Sequence, residues 1–570
     1  VSWVGAGLAA ARRASLPTDI AAGAVVALLL VPQGLAYALL AGLPAEVGLY
    51  ASLPPLLVYA WLGPSREQSV GPMALTSLLT AATLSRFAVP GSADYVALAA
   101  LLALLSGAML AALGLARAGF LADFLSRPVL SAFTAASAVL IVASQLGSLV
   151  GVRAGGATLT DFVAALPRIV DGARLPALAA GGATLAWLWW ARRRLAPTLV
   201  RLGVGQGLAE LVARTAPVWA VAAATLVAAR WPWFAAQPLL GPVTAGLPAP
   251  VWPAASFAAV ESLLLPAFFI AMVNLVQGLS VAQWLAVRRG ETVEPEPEMV
   301  ALGAANVASG LFGGLPVTGG LSRSVVNAEA GAQSQFASLV TALATAAWLL
   351  FAAGSLATLP LAVLAAVIVV PVAAMIDLSP LSRAWRADRA DGVAFAATFA
   401  LSLAVGVDVG VVAGVLLSLG AWLAKSGRPH LAELGRLPGS EHFRNVARHP
   451  HAERLPGHLF LRVDDSLYFG NLRRVDADLW QRLAERPGTR CLVLSMSGVN
   501  RVDASAVDWL LRFDAMLAAR GVVLWLAEVK GPVHDLFARA GALDGFDGRL
   551  FLSNQRAWQA AGGATADYAI

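Results

Sequence analysis

Runs of about 20 apolar residues recur from Ile20 to Lys425. A run of that length closes its backbone hydrogen bonds within one helix, so it can cross a bilayer without exposing unpaired polar groups. A chain built from many such runs has little choice but a bundle of membrane helices. Composition agrees. Of the 570 residues, 58% are hydrophobic and 13% are charged, against about 25% charged in soluble domains. We read about fourteen membrane segments, from 20–41 to 408–424, several of them too short to span.

The segments fall into two halves. Gln33-Gly34-Leu35 returns as Gln277-Gly278-Leu279, an offset of 277 − 33 = 244. Pro72 in SVGPMALTS returns as Pro316 in GLPVTGGLSRS, again 316 − 72 = 244. Paired halves that each carry a Gly/Pro-interrupted apolar element are the pattern of a secondary transporter made of internal repeats. Arg66, Arg117, Arg192-Arg193-Arg194, Arg288-Arg289 and Arg383/Arg386/Arg389 all fall on one side of the threading. That side is therefore cytoplasmic, with both termini inside. Seven spans per half would invert the second copy, giving a 7+7 inverted repeat.

Residues 1–425 are read as this transmembrane domain, 426–456 as a polar linker and 457–570 as a cytoplasmic α/β domain. Strands are expected at His458–Val463, Arg490–Ser497 and Val522–Val529. They alternate with helices at Leu472–Leu483, Ala504–Ala519 and Pro532–Ala540, which predicts a largely parallel sheet covered by helices.

Several chemistries are excluded or disfavoured. A single cysteine, Cys491, permits no internal disulfide. All six histidines lie at or after His430, so the membrane part has no histidine metal site or proton relay. His442, His449, His451 and His458 are too irregularly spaced to indicate zinc. No P-loop is present, which argues against an ATP-driven pump. The net charge of +6 sits mainly in short loops and serves orientation rather than nucleic acid. No cofactor and no enzymatic constellation are expected.

The candidate site follows from helix ends. Proline is tolerated in the first turn of a helix, so Pro72 predicts a short helix starting at Met73-Ala74-Leu75. A second would start at about Gly320-Leu321-Ser322. Two facing half-helix N-termini offer free N–H groups and positive dipole ends to one small volume, which suits an anion. Arg323 in the second first turn brings a guanidinium fork that matches oxyanions; the other reading is an interfacial anchor that snorkels. Ser322 is either a hydroxyl donor or a cap. Gln33, just after Pro32, lines the site or bonds a neighbouring helix. Tyr37 shares its face, and with Met73 forms an apolar wall or ordinary packing. Glu294, Glu296 and Glu298 read as ordinary helix-start chemistry.

Residues 31–72 (VPQGLAYALLAGLPAEVGLYASLPPLLVYAWLGPSREQSVGP), 124–151 (FLSRPVLSAFTAASAVLIVASQLGSLVG) and 301–335 (ALGAANVASGLFGGLPVTGGLSRSVVNAEAGAQSQ) resemble signature regions of the SulP sulfate permease family. The C-terminal part resembles the STAS domain that follows the membrane part in that family. The resemblance implies a core domain moving against a gate domain, usually in a homodimer in the bacterial inner membrane. It implies that the Ser322-Arg323 pair belongs to the anion site. Many relatives carry an acidic residue, linked to cation coupling, at the position of Gln277. A glutamine cannot titrate, so exchange or uncoupled transport is expected here. In the STAS-like part, Asp503 and Ser505 match a regulatory helix start at which related antagonists are phosphorylated; capping by either residue is the simpler reading. The expected substrate is a small oxyanion, sulfate first, with bicarbonate, chloride or a dicarboxylate as alternatives. A channel-like or voltage-responsive relative, or a membrane-anchored signalling protein, are the competing classes.

Overall fold

Long apolar runs interrupted by glycine and proline become, in the computed structural model, a bundle of full and partial helices. The structure describes residues 15–120, 126–152, 158–253 and 256–562. The chain divides into two units, Val1–Ser418 and Leu419–Ile570.

The principal helices of the first unit are α1 (Leu16–Leu40), α2 (Leu53–Leu62), α3 (Ala74–Leu84), α4 (Ala93–Leu115), α5 (Arg127–Leu149), α6 (Leu175–Trp190), α7 (Phe257–Arg289), α8 (Pro295–Leu311), α9 (Leu321–Glu329), α10 (Phe336–Phe351), α11 (Leu361–Ala373) and α12 (Arg389–Ala404). The last, α13 (Val407–Ser426), runs across the boundary between the units. Among the described residues, five helices are long and apolar enough to cross a membrane. They become six if the bent pair Gln206–Arg214 and Ala216–Arg230 is one span. The other segments are shorter apolar helices. The 11 residues of α3 and 9 of α9 cover only about half a bilayer at 1.5 Å per residue.

The helices pack in two sets: α1–α4 with α7–α10, and α5, α6, Ala216–Arg230, α11 and α12 with one another. Each set takes corresponding segments from the two halves. Glycine sets a tight seam between α4 and α8. A Cβ on Gly107 of α4 would lie 2.5 Å from the backbone nitrogen of Val307 on α8. One on Gly310 of α8 would lie 2.5 Å from the carbonyl oxygen of Ala100. Backbone-to-backbone contact of this kind replaces the hydrophobic drive that lipid cannot supply. The glycines of the repeated Gln-Gly-Leu also sit at close approaches, one to backbone and one to side chains. Gly34 meets the backbone of Gly48, and a Cβ on Gly278 would meet Leu302 and Thr318.

Strands β1 (Val70–Gly71) and β2 (Thr318–Gly319) pair antiparallel, Val70 with Gly319 and Gly71 with Thr318. Helices leaving an antiparallel pair depart in opposite directions, so α3 and α9 begin head to head. Pro72 is not in the first turn of α3 as the sequence predicts. The N-cap is Met73, in extended conformation, and the helix starts at Ala74, because Val70–Gly71 is held in the ladder just before it. The helices start 321 − 74 = 247 residues apart, three more than the prolines. β2 falls between Pro316 and α9, whereas β1 precedes Pro72.

The second unit is a six-stranded sheet in the order β4-β3-β5-β6-β7-β8. Its strands are β3 (Leu431–Arg436), β4 (Phe443–Asn445), β5 (His458–Val463), β6 (Cys491–Ser495), β7 (Val523–Ala527) and β8 (Leu550–Phe551). From β5 to β8 the pairing is parallel, while β3 is antiparallel to β4 and β5. The crossovers are α14 (Leu472–Ala484), α15 (Ala504–Ala518) and α16 (Gly531–Arg539). Leu479, Phe513 and Phe537 from these helices bury against Leu461, Leu494 and Leu526 of the strands. On the other face, Trp558 of α17 (Asn554–Ala560) packs with Phe443 and Phe460. Residues 426–456 are not simply a linker, because β3 and β4 extend the sheet there. Their charges hid them: Glu433 pairs with Arg486 at 2.6 Å, and Arg436 with Glu453 at 2.7 Å.

Candidate functional site

Three connections pin the start of α9 to the segment before α3. The Gly320 N–H donates to the Ser69 carbonyl at 2.9 Å. The Ser69 N–H donates to Ser324 Oγ at 2.9 Å. Asn327 Nδ2 donates to the Glu67 carbonyl at 2.9 Å. The strand is braced from behind by Asn306 of α8, which donates to the Val317 carbonyl and accepts from its N–H, both at 2.8 Å. Thr318 Oγ1 donates to the Asn274 carbonyl on α7 at 2.9 Å. Four elements thus fix the ladder between the two helix starts.

Neither helix start is capped by a side chain. Their first-turn N–H groups have no partner within their own helix, and their dipoles are positive at this end. Arg323, the third residue of α9, is 1% exposed. It therefore lies inside the protein rather than reaching an interface. Its Nε, Nη1 and Nη2 all lack a hydrogen-bond partner. The guanidinium lies against the ladder glycines: a Cβ on Gly71 would be 2.9 Å from Nη2, and one on Gly320 would be 3.0 Å from it. Larger side chains there would occupy the guanidinium's space. Tyr37 of α1 is buried and close enough to interact with Arg323 electrostatically. A buried guanidinium without a counter-charge costs several kcal/mol, and an anion between the two helix starts would offset that cost.

The remaining candidates divide. Ala74 and Gly320 are buried at the two helix starts; Gln33 and Met73 are half-buried. Leu321 and Ser322 are exposed, and the N-cap of α9 is Gly320, so Ser322 does not cap it. Gln277 is half-buried, with an Oε1 that is sealed off and unpartnered. In the second unit, Asp503 caps α15: Oδ1 accepts from the Ala506 N–H at 2.8 Å, and Oδ2 from the Phe469 N–H at 2.9 Å. Ser505 is exposed on the first turn.

Sequence reasoning missed three residues. Glu298 was expected to do ordinary helix-start work. It is instead fully buried, accepting from Tyr59 Oη and Gln68 Nε2, both at 2.8 Å. Gln68 in turn packs on Gly319 of β2, which places this carboxyl one side chain from the ladder. Asp19 of α1 is also fully buried and accepts from the Gln333 N–H at 2.6 Å and from Ser334 Oγ at 2.7 Å. Asn274, one turn before Gln277, is fully buried with both side-chain polar atoms unpartnered. Its place inside an apolar run was the only signal.

The family model described as the sulfate permease family matches residues 16–398, and that of the STAS domain matches residues 449–557. The chain belongs to the sulfate permease family. A protein of Mycobacterium tuberculosis described as a probable sulfate transporter is 35% identical over 539 residues, covering 94% of this chain and 93% of that protein. Sulfate transporter 4.1, chloroplastic, of Arabidopsis thaliana is 31% identical, covering 92% of this chain and 77% of that one. Among solved structures, murine Slc26a9, an anion transporter in the inward-facing state, superposes with a TM-score of 0.87 at 24% identity. That match covers 97% of this chain and 92% of that one. The transmembrane domain of the cyanobacterial bicarbonate transporter BicA matches with a TM-score of 0.59 at 22% identity, over 71% of this chain and 98% of that one. These two likenesses bear on the fold: this member of the sulfate permease family is a polytopic membrane protein with a C-terminal STAS domain, folded like Slc26a9.

Proposed function

We propose that this chain carries a small oxyanion, sulfate in first place, across a bacterial inner membrane by alternating access. The observation that carries the reading is Arg323: a sealed guanidinium with no partner, in the first turn of one of two uncapped helices that start head to head. A divalent tetrahedral oxyanion has enough acceptors to meet both helix starts and the guanidinium fork together. The relatives described as sulfate transporters favour sulfate over bicarbonate, chloride or a dicarboxylate. The two packed sets of helices suit an elevator, in which α1–α4 and α7–α10 carry the site past the other set. A homodimer with cytoplasmic termini completes the reading. Asp503 and Ser505 stay outside the transport step, in a domain that regulates or docks.

Gln277 supports exchange or uncoupled transport, since its amide neither titrates nor replaces a carboxylate as a cation ligand. The test is uptake into liposomes by the purified full chain. Saturable sulfate uptake that is indifferent to imposed H⁺ and Na⁺ gradients is expected, with loss of flux in Arg323→Ala. Undiminished flux in that variant would remove the site. Strict gradient dependence would refute the uncoupled reading alone.

A further inference from the structure

Some arginines at helix ends of the membrane unit pair with a carboxylate. Arg66 pairs with Glu291 at 3.4 Å, Arg289 with Glu67, and Arg214 with Glu329. Arg192, Arg193 and Arg194 pair with none among the described residues. They occupy a single π-helical turn, Ala191–Leu195, that continues α6. Ala191 and Leu195 are buried, which leaves the three arginines outside. Arg193 is not free to wander: its guanidinium stacks 4.4 Å over the Trp189 ring, a contact that keeps the charge beside the helix.

A groove of about 790 Å³ opens between α6 and α11 at this point. Its wall includes Leu185, Trp189, Val369 and Ala373, and Arg192 and Arg193 line it too. From Leu185 to Arg193 the groove follows α6 for about 12 Å. The α6 side is thus apolar first and cationic last. That order matches one class of molecule, with an anionic head and a hydrocarbon tail.

We propose that this groove binds an anionic phospholipid, its phosphate on Arg192 and Arg193 and an acyl chain along the apolar wall. A free inorganic anion would gain nothing from the wall. A zwitterionic lipid would bring its own cation to the arginines. A second copy of the chain would have to supply carboxylates to the unpaired arginines. Tryptophan beside arginine is also what the edge of a bilayer selects.

The test is native mass spectrometry of the full-length protein with equimolar phosphatidylglycerol and phosphatidylcholine. Retention of phosphatidylglycerol in about thirtyfold preference is expected, the effect of two surface arginines at about 1 kcal/mol each. Arg192→Ala/Arg193→Ala should abolish the preference, and Arg192→Lys/Arg193→Lys should keep most of it. Ala373→Trp fills the groove without changing charge and should also release the lipid. Equal retention of the two lipids would overturn the proposal, as would a preference that survives the double alanine variant. Binding that survives Ala373→Trp, or displacement by sn-glycerol 3-phosphate alone, would overturn it in favour of headgroup attraction to a charged surface. Loss of dimer without loss of phosphatidylglycerol in the double alanine variant would assign the arginines to a second copy instead.

Discussion

Arg323 in the membrane unit and Arg436 in the soluble unit are both nearly sealed, at 1% and 5% exposure. Arg436 has Glu453 on its guanidinium, at 3.1 Å from Nε and 2.7 Å from Nη2, and lies over the Trp558 ring. Arg323 has nothing. The soluble unit repeats its habit elsewhere: Arg549 grips Asp514 with two bonds of 2.7 and 2.9 Å. Two fully buried carboxyls of the membrane unit are held by neutral groups, Glu298 by Tyr59 and Gln68, and Asp19 by Ser334 and the Gln333 backbone, while the buried Glu67 pairs with Arg289. A domain that does not bind the transported charge closes its own charges internally. A domain that must take up a charged solute keeps one charge open, at a cost in stability.

The sharpest way to break this comparison is to remove the open charge. Arg323→Met should reduce sulfate flux by about a hundredfold or more, the loss of a charge-assisted, desolvated contact. The same change should leave the empty protein as stable or about 1–2 kcal/mol more stable, since an uncompensated buried charge has gone. Sulfate at about 100 times its dissociation constant should stabilise the parent by about 2.7 kcal/mol and the variant not at all. Thermal unfolding in detergent, with and without sulfate, reads both effects. A variant that is strongly destabilised without sulfate would mean that Arg323 is structural.

Glu298 sharpens the contrast from the other sign. Glu298→Ala removes the acceptor of Tyr59 Oη and of Gln68 Nε2. Two sealed donors then lose their bonds, and about 3 kcal/mol should be lost. Glu298→Gln keeps one carbonyl acceptor and should cost about 1 kcal/mol. If the two variants unfold alike, the carboxyl is not what holds Gln68 against β2.

How far the site could be read from sequence depends on which physical signal each part leaves. Arg323, Pro72 and Pro316 stand out because charge and imide rings are rare inside apolar runs. Glu298 did not, since three acidic residues before a helix match ordinary dipole chemistry, and only packing shows that one of them turns inward. The ladder was invisible: two residues per strand carry no alternation to detect. In the soluble unit, β5, β6 and β7 are apolar strands with clear edges. By contrast, β3 reads Leu-Ala-Glu-Leu-Gly-Arg, and its charges are matched by Arg454 and Arg486 on Glu433 and by Glu453 on Arg436, all farther along the chain. Long-range pairing of charge is the part of a fold that local pattern does not encode.

The closed charges of the soluble unit supply the counter-test. Arg436→Met should cost about 1 kcal/mol, because Glu453 remains partly exposed and can rehydrate. That is the opposite sign to Arg323→Met, and equal signs would dissolve the comparison.

The smallest expected effect concerns pH. Burial raises the Asp464 pKa, but hydrogen bonds from Arg462 and His430 outweigh it and hold the carboxyl below the usual aspartate range. A depressed carboxyl stabilises the fold above its unfolded pKa of about 4, and that contribution fades as pH falls through the folded value. Water screening keeps it to roughly 0.5 kcal/mol. His430 and Asp464 also join the start of β3 to the end of β5, because the Asp464 N–H donates to the His430 carbonyl at 3.0 Å. Hydrogen exchange across Leu431–Arg436 should therefore speed up slightly as pH drops below about 4, after correction for the intrinsic pH dependence of exchange. Asp464→Asn should flatten that response while leaving sulfate flux unchanged. A variant with the parent's acid response would show that other carboxyls carry it, and that the ion pairs between β3 and β5 are ornamental, unlike the one around Arg436.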